Sequence, residues 1–297
     1  MNSNPTTTNT PRKFTAKKEL LQAVASSVRQ ESTAQQPYVI SIVGGSASGK
    51  TTVAKDLAAQ FGPEATILSQ DLFQFGDDFV GRKTSRYKWD DPDNFDLPNC
   101  AQVLAKLRNN EPATVPNYEV VANRRLGTID IQPKPILIWE GIYASLSPEL
   151  RELSDLVIYI EVPYIVRFVR RIARFLARKE IDDMTVPARH MLSFVLRADV
   201  DYVSTQKQFA DYVLAYNPKY AASDTATLQD RAARHTMGWD AKGQAPIKRA
   251  ALADITLELY NDGFTVRGRN NTVLYAVPLD KALAQEAAIY WDKALLF

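Results

Sequence analysis

Residues 38–61, YVISIVGGSASGKTTVAKDLAAQF, decide the fold of this chain. A mostly apolar run typical of a buried strand gives way to glycines and serines, and then Val53, Leu57 and Phe61 recur at helical spacing. The turn between the two runs, GGSASGKT, satisfies the pattern G-x-x-x-x-G-K-[ST]. It also has the preceding strand and the following helix that give this pattern its meaning. The sequence therefore predicts a phosphate-binding loop between a strand and a helix.

Each residue type in this loop suits the binding of phosphate. Glycines allow successive backbone N–H groups to point at phosphate oxygens, and the following helix adds the positive end of its dipole. Lys50 would reach the outer phosphates, and the Thr51 hydroxyl would bind a magnesium ion. The alternative is a glycine-serine turn that contains Lys-Thr by chance. The predicted nucleotide-binding residues are Gly44, Gly45, Ser46, Ala47, Ser48, Gly49, Lys50, Thr51 and Thr52.

Composition places the chain among ordinary globular proteins. Of its 297 residues, 45% are hydrophobic and 24% are charged, which suits one large domain or two smaller ones. Lys and Arg total 36 and Asp and Glu total 34, and this balance does not indicate a nucleic-acid or membrane-surface partner. The chain has one cysteine, Cys100, no apolar run of about 18 residues and no signal-like start. The sequence therefore predicts a cytoplasmic protein in a reducing compartment, without an internal disulfide.

Three regions follow from the pattern along the chain. Residues 1–12 are small and polar and predict a disordered tail. Residues 13–216 predict a core with an amphipathic helix at 14–28 and then strands that alternate with helices, at 38–43, 65–69, 136–139, 156–162 and 212–215. This alternation is typical of an α/β fold, with a parallel sheet and helices on both faces. Residues 217–297 predict a small C-terminal extension, with antiparallel strands at 255–260, 264–267 and 272–277 and a helix from 279 to about 295.

Two carboxylates follow predicted strands at the edge where parallel sheets bind ligands. Asp71 comes just past the strand at 65–69, where it could accept a proton from a substrate hydroxyl. Glu140 ends the run PILIWE, where P-loop proteins place the acid that holds magnesium or its water shell. A helix-capping role for Asp71 and a solvated strand end for Glu140 are the alternatives.

An acidic run suggests a further site. Asp90, Asp91, Asp93 and Asp96 lack the glycine and the distal glutamate of a calcium-binding EF-hand loop. Pro92 fixes the backbone within the run and favours a shaped turn that could aim Asp90 at a substrate. A solvated loop with helix-capping aspartates is the alternative.

A basic helix is the last candidate. Arg167, Arg171, Arg174 and Arg178 lie along one face of a predicted helix whose other side is apolar. Such a face could stabilise charge on a transferring phosphoryl group. It could equally be a solvated face paired with acids such as Glu161. Nucleic-acid binding is less favoured, because no aromatic residues alternate with the arginines.

Six segments in order, GGSASGKTTVA, LSQDLF, WDDPDNFD, VPNY, WEGIY and RFVRRIAR, resemble the uridine kinase and phosphoribulokinase family of P-loop kinases. The resemblance covers roughly residues 38–216. It implies a P-loop kinase fold, ATP and Mg²⁺ as cosubstrates, and transfer of the γ-phosphate to a hydroxyl of a small metabolite. It also implies that Asp71 is the catalytic base, Glu140 the metal-associated acid, and Lys50, Arg171 and Arg174 the catalytic cations, the arginines on a mobile lid.

The resemblance also points to an acceptor pocket. In uridine kinases the aspartate that opens D-x-P-D binds ribose hydroxyls, and Asp90 holds this place after Trp89, where an aromatic residue is usual. Tyr118 matches a tyrosine that lines the pocket. Val120 and Asn123 replace an aromatic residue and a histidine that contacts the pyrimidine base, and this weakens the expectation of pyrimidine recognition.

Two arginines and two histidines lie near or outside these motifs. Arg125, with Arg124 beside it, could bind a phosphate or carboxylate of the acceptor, as a sugar-phosphate kinase would require. His190 and His235 lie outside the motifs. His190 could sit near the lid, but a surface or satisfied structural role is the prediction.

The sequence favours a kinase that acts on a nucleoside or another small polyol, without a nucleic-acid or membrane partner, and it leaves a homo-oligomer open. A sugar-phosphate kinase of the same family is the nearest alternative. A P-loop NTPase that acts as a regulatory switch and an idle nucleotide-binding scaffold are alternatives from other classes. The intact Lys50, Thr51 and Asp71 argue against the scaffold.

Overall fold

A computed structural model describes residues 10–33, 35–76, 90–120, 122–177, 185–215, 235–236, 239–252 and 254–295. Its centre is a six-stranded sheet in which every neighbouring pair is parallel. The strands are β1 (Arg12–Phe14), β2 (Tyr38–Val43), β3 (Ala65–Ser69), β6 (Ile136–Gly141), β7 (Leu156–Glu161) and β8 (Tyr212–Ala215). Their spatial order is β1-β8-β7-β2-β6-β3. The predicted parallel α/β sheet is confirmed.

Helices cover both faces of this sheet. The first five are α1 (Lys17–Glu31), α2 (Lys50–Phe61), α3 (Leu97–Arg108), α4 (Pro148–Glu152) and α5 (Tyr164–Ala177). A helical segment at 186–209 follows, built from α6 (Val186–His190), a π turn (Met191–Val195), α7 (Leu196–Ala198), a second π turn (Asp199–Val203) and a 3₁₀ stretch (Ser204–Phe209). The last helix is α8 (Lys281–Leu295). Over the described ranges, no helix is long and apolar enough to cross a membrane.

The core has two parts because successive strand side chains point to opposite faces. In β2, Ile40 and Ile42 join the apolar cluster that also contains residues of α1, α2 and α5. Val39 and Val43 join the cluster on the other face, with residues of α3 and α4. The β2 residues are all buried, which is why the strand reads as a nearly continuous apolar run in the sequence.

The amino-terminal predictions need correction. Arg12, placed in the disordered tail, belongs to β1, and its backbone N–H donates to the Asp211 carbonyl at 2.8 Å. Phe14, placed at the start of the first helix, ends β1 and packs edge-on against Tyr212 at 5.3 Å. The helix itself runs from Lys17 to Glu31. A three-residue edge strand is too short to show a periodic pattern, so the sequence did not predict it.

A two-stranded hairpin, β4 (Ala113–Glu119) and β5 (Arg124–Ile131), projects from the core and was not predicted. Ala113 and Val115 of β4 are buried against α3 and the sheet, whereas β5 is largely exposed. The register shifts between Pro116 and Tyr118, as expected where a proline interrupts a ladder. Because of this irregularity, the sequence of the hairpin does not show the regular alternation of a strand. The register shift lies next to Tyr118.

The C-terminal extension is a five-stranded sheet covered by α8. Its strands are β9 (His235–Thr236), β10 (Lys248–Leu252), β11 (Ile255–Leu259), β12 (Gly263–Arg267) and β13 (Val273–Pro278), in the order β10-β11-β12-β13-β9. The antiparallel strands β11 to β13 and the final helix match the prediction, whereas β9 and β10 were missed. Phe264 packs against Phe168 of α5 with ring centroids 4.9 Å apart, and Trp291 of α8 lies behind it. The extension therefore shares an apolar core with α5.

Glu258 is a buried carboxylate within this extension. Its Oε2 accepts hydrogen bonds from Arg267 Nε at 2.6 Å, Tyr260 OH at 2.8 Å and Thr265 Oγ1 at 3.1 Å. Burial opposes its ionisation, but these donors outweigh burial and lower the pKa of Glu258 below its ordinary value. Its charge is therefore stabilised in the folded chain.

The Glu258→Gln variant is expected to lose about 1.5 kcal/mol of unfolding free energy near pH 7, because a neutral amide replaces a charged acceptor. Folding lowers the pKa of Glu258. The ionised side chain therefore contributes to the free energy of unfolding at pH values above its pKa in the unfolded chain, about 4.3, and this contribution is lost as the pH falls through its pKa in the folded chain. Urea unfolding of both proteins across this range measures the effect. The difference should shrink at low pH, and a pH-independent difference would contradict the interpretation. Exposed Glu111→Gln is the control.

Candidate active site

Three neighbouring strands bring the predicted site residues to one edge of the sheet. Val43, the last residue of β2, lies beside Gly141 of β6, and Ser69, the last of β3, lies beside Glu140. The loop after β2, the acid at the end of β6 and the turn after β3 therefore meet. This is the carboxyl edge, where open α/β sheets bind their ligands.

The loop after β2 has the shape of a phosphate cradle. Gly49 precedes α2 with φ of 98°, in the region that favours glycine, and the N-terminus of α2 carries no side-chain cap from the described part of the chain. At Gly45 a Cβ atom would lie 1.9 Å from Arg167 Nη1, so only glycine fits there. Ser48 Oγ is buried within the loop and finds no hydrogen-bond partner among the residues that the structure describes. An uncapped helix N-terminus and an unsatisfied hydroxyl in the same loop fit a bound phosphate group.

Lys50 is buried at the centre of this cradle. Its Nζ donates to the Gly45 carbonyl at 3.2 Å, across the loop. Burial lowers the pKa of Lys50, and this effect is partly opposed by the carboxylates of Glu140, Asp71 and Asp90. Lys50 is thus the cation around which the three predicted carboxylates gather.

Thr51 and Glu140, the predicted metal ligands, lie side by side. Glu140 Oε1 accepts hydrogen bonds from Thr51 Oγ1 at 3.1 Å and from Ser69 Oγ at 2.9 Å. A hydroxyl and a carboxylate at this separation are the hard oxygen ligands that Mg²⁺ prefers, with phosphate oxygens completing its shell. Among the described residues, no group of three or more His, Cys, Asp or Glu side chains forms a metal site by itself. The donor set therefore fits magnesium bound together with a nucleotide.

Asp71 lies in a short 3₁₀ turn (Gln70–Phe73) directly after β3. Its backbone N–H points to Ser69 Oγ at 3.4 Å, and its Oδ1 is 3.5 Å from Gln74 Nε2. Gln70, which is buried, fixes the turn by accepting the Tyr143 N–H at 2.9 Å. The carboxylate of Asp71 is exposed in the cavity that also contains Lys50. It is available to a substrate hydroxyl.

A cavity of about 200 Å³ joins the phosphate cradle to an acceptor side. Asp90 and Tyr118, both predicted substrate-binding residues, line it, and Val120 does as well. The backbone carbonyl of Asp90 accepts a hydrogen bond from Tyr143 OH, which holds the acidic turn in place. Gln74, Phe95 and Ile142 also line the cavity and were missed, because nothing in their local pattern distinguishes them from core or loop residues.

Arg171 and Arg174 of α5 reach the same cavity. Arg171 Nη1 donates to Ser46 Oγ of the P-loop, and Arg171 Nη2 lies 3.2 Å from His190 Nε2. Arg167, placed on the same functional face by its spacing, has a different role: it is buried and forms a bidentate ion pair with Asp199 at 2.8 and 2.5 Å. Arg178 lies outside the described residues.

Two other predicted acceptor residues, Asn123 and Arg125, do not line the cavity. Asn123 Oδ1 accepts from Tyr118 OH at 2.6 Å, so Asn123 orients Tyr118. Arg125 donates to the carbonyls of Phe73 and Gln74 at 2.9 and 2.8 Å and so ties β5 to the turn of Asp71. Trp89 lies outside the described residues.

The structure rules out a surface position for His190 and buries it near the lid arginine Arg171, which agrees with the alternative of a place near the lid. It ends α6, and its Nε2 lies 3.9 Å from Asp90 Oδ1 as well as near Arg171. Burial and the Arg171 charge lower the pKa of His190 well below its ordinary value. No sequence motif marks this position.

A model of the phosphoribulokinase / uridine kinase family matches residues 39–223. The chain belongs to this family. The match spans the P-loop, the three carboxylates, the hairpin and α5, and it ends before the described part of the C-terminal extension. A member of this family is a phosphotransferase with a hydroxyl acceptor, and it uses a nucleotide as the phosphoryl donor.

Individual relatives agree with this assignment. The chain is 36% identical over 142 residues to a uridine kinase of Borreliella burgdorferi (strain ZS7), covering 48% of this chain and 68% of that protein. It is 28% identical over 198 residues to the uridine kinase of Lactobacillus helveticus (strain DPC 4571), covering 65% and 91%.

The fold also has a solved counterpart. The crystal structure of a protein described as a fructose transport system kinase from Silicibacter sp. TM1040 superimposes with a TM-score of 0.54 at 18% identity, covering 67% of this chain and 99% of that one. At this identity the likeness shows the fold alone.

Proposed function

We propose that this chain is an ATP- and Mg²⁺-dependent kinase that phosphorylates a hydroxyl group of a small polyol. The acceptor carries no phosphate or carboxylate group, and nucleosides are the favoured class of acceptor. The observation that carries the proposal is one cavity that joins a phosphate cradle to two carboxylates, Asp71 and Asp90. A cradle alone would suit any P-loop protein. Carboxylates placed opposite it are what a hydroxyl acceptor requires.

Each residue has a task in this proposal. The backbone of the P-loop and Lys50 would hold the phosphates, while Thr51 and Glu140 would hold the metal. The bound MgATP would supply the phosphoryl group. Asp71 would accept the proton of the attacking hydroxyl, and Asp90 and Tyr118 would orient the acceptor by hydrogen bonds. Arg171 and Arg174 would stabilise charge on the phosphoryl group during transfer.

The distribution of charge supports an acceptor without a phosphate. Lys50 and Arg171 contact the P-loop itself, on the donor side. Among described residues, the cavity is also lined by Arg174, whereas Arg125 does not line it and donates to two backbone carbonyls. A phosphate or carboxylate beside Asp71 and Asp90 would face two acids, and Arg174 would be the cation left to pair with it, because Lys50 and Arg171 are held on the P-loop. The sugar-phosphate alternative is therefore less well supported than the nucleoside or polyol.

An ADP-release assay with a panel of acceptors tests the proposal. We expect turnover with at least one acceptor that carries no anionic group. The panel of such acceptors consists of uridine, cytidine, nicotinamide riboside and simple sugars. Ribulose 5-phosphate and pantothenate should give at least about tenfold lower kcat/KM, because each brings an anion to an acidic pocket. A higher kcat/KM for ribulose 5-phosphate than for the acceptors without an anionic group would overturn the proposal that the acceptor carries no phosphate. ADP release that no acceptor accelerates would favour a regulatory NTPase instead.

A further inference from the structure

His190 occupies a defined place between two residues of the candidate site. Its side chain is 3% exposed, and its Nε2 lies 3.2 Å from Arg171 Nη2 and 3.9 Å from Asp90 Oδ1. A guanidinium can only donate hydrogen bonds, so Nε2 must be the acceptor from Arg171. The imidazole is then neutral and carries its proton on Nδ1. Burial and the nearby Arg171 charge favour this neutral form.

The other contact of Arg171 shows what this arrangement achieves. One terminal nitrogen donates to Ser46 Oγ in the P-loop, and the other donates to His190. A guanidinium has its donors in a fixed plane, so two acceptors on two different elements define its orientation.

We propose that His190 is a positioning residue that holds the Arg171 guanidinium over the P-loop, where the terminal phosphate of the nucleotide is bound. This inference rests on the proposed kinase function and adds a residue that the family motifs do not contain. His190 acts through Arg171 and is not itself a catalytic group. The helical segment at 186–209 thereby takes part in nucleotide binding. Asp199 on the same segment fixes α5 through its ion pair with Arg167.

The test is a comparison of two nucleotides by calorimetry. His190→Asn keeps a polar side chain but is too short to place an acceptor at Nε2, whereas the amide oxygen of His190→Gln reaches that place. We expect His190→Asn to weaken the affinity for MgATPγS about tenfold, as for loss of a hydrogen bond to a charged group, and MgADP by less than about twofold. His190→Gln should stay within about threefold of the wild type for both nucleotides. His190→Leu tests the same loss if His190→Asn does not fold.

A double-variant cycle separates positioning from general disruption. Arg171→Ala should show the same selective loss for MgATPγS, and adding His190→Asn to it should cause no further loss. Met191→Leu, a volume-conserving change at the next residue in the buried core, is the packing control.

Three results would overturn the inference: equal losses for both nucleotides, a full additional loss in the Arg171→Ala background, or wild-type affinity in His190→Asn. If the wild type itself binds neither nucleotide, the proposed function fails first and this inference fails with it.

Discussion

Replacement of Asp71 by asparagine is expected to reduce kcat by at least about a hundredfold while leaving the affinity for MgATP within a fewfold of normal. The amide has nearly the same shape but cannot accept the proton of the attacking hydroxyl. Asp71 lies after β3 in the turn held by Gln70, outside the P-loop, so the phosphate cradle should be intact. Steady-state kinetics with the best acceptor of the panel, together with calorimetric titration of ATPγS, measure the two quantities separately.

A matched control distinguishes this role from a general effect of charge. Asp93 carries the same carboxylate in the acidic run but is exposed and does not line the cavity, so Asp93→Asn should turn over at nearly the wild-type rate. Near-wild-type activity in Asp71→Asn would remove Asp71 from the role of base. An equal loss in both would show that the net charge of the acidic side matters more than proton transfer at one atom.

Lys50→Ala is expected to lower kcat/KM for ATP by roughly 10²–10³-fold, the cost of removing one preorganised donor to developing charge. The structure gives a second reason for a large effect. Lys50 is the buried cation among Glu140, Asp71 and Asp90, so its removal leaves the phosphates facing a cluster of carboxylates. Both ground-state binding and transfer should suffer, and KM for ATP should rise while kcat falls.

Lys55→Ala provides the comparison for this variant. Lys55 is exposed on the same helix, α2, and does not line the cavity, so its loss should change kcat/KM by less than about twofold. Circular dichroism of both variants checks that α2 is retained. Unchanged kinetics in Lys50→Ala would refute the phosphate-binding role of the loop.

Much of the donor half of the site could be predicted from the sequence. The strand, the turn and the helix of the P-loop are contiguous, so their pattern needs no knowledge of the rest of the chain. Asp71 and Glu140 were also predictable, because each directly follows or ends an apolar strand and parallel strands end at a common edge. The register of β3, β6 and β2 then places them together.

The acceptor half could be predicted only in part. Asp90 and Tyr118 were proposed from motif positions, and both line the cavity. Arg125 was proposed from its charge and its place near the motifs, and the structure instead directs it to two backbone carbonyls. The residue type alone does not show whether Arg125 binds a ligand or the protein backbone, because a guanidinium donates equally well to a phosphate and to a backbone carbonyl.

The sequence by itself determined the local elements: the cradle, the parallel strands and the carboxylates that follow them. Tertiary structure alone decided which distant side chains complete the site. Arg167 and Arg171 are equivalent by helical spacing, yet one is buried on Asp199 and the other reaches Ser46 and His190. The physical reason is that periodicity reports only which face of an element is apolar. The partners that a polar side chain finds depend on how separate elements pack, and here the 186–209 segment and α5 meet beside the P-loop.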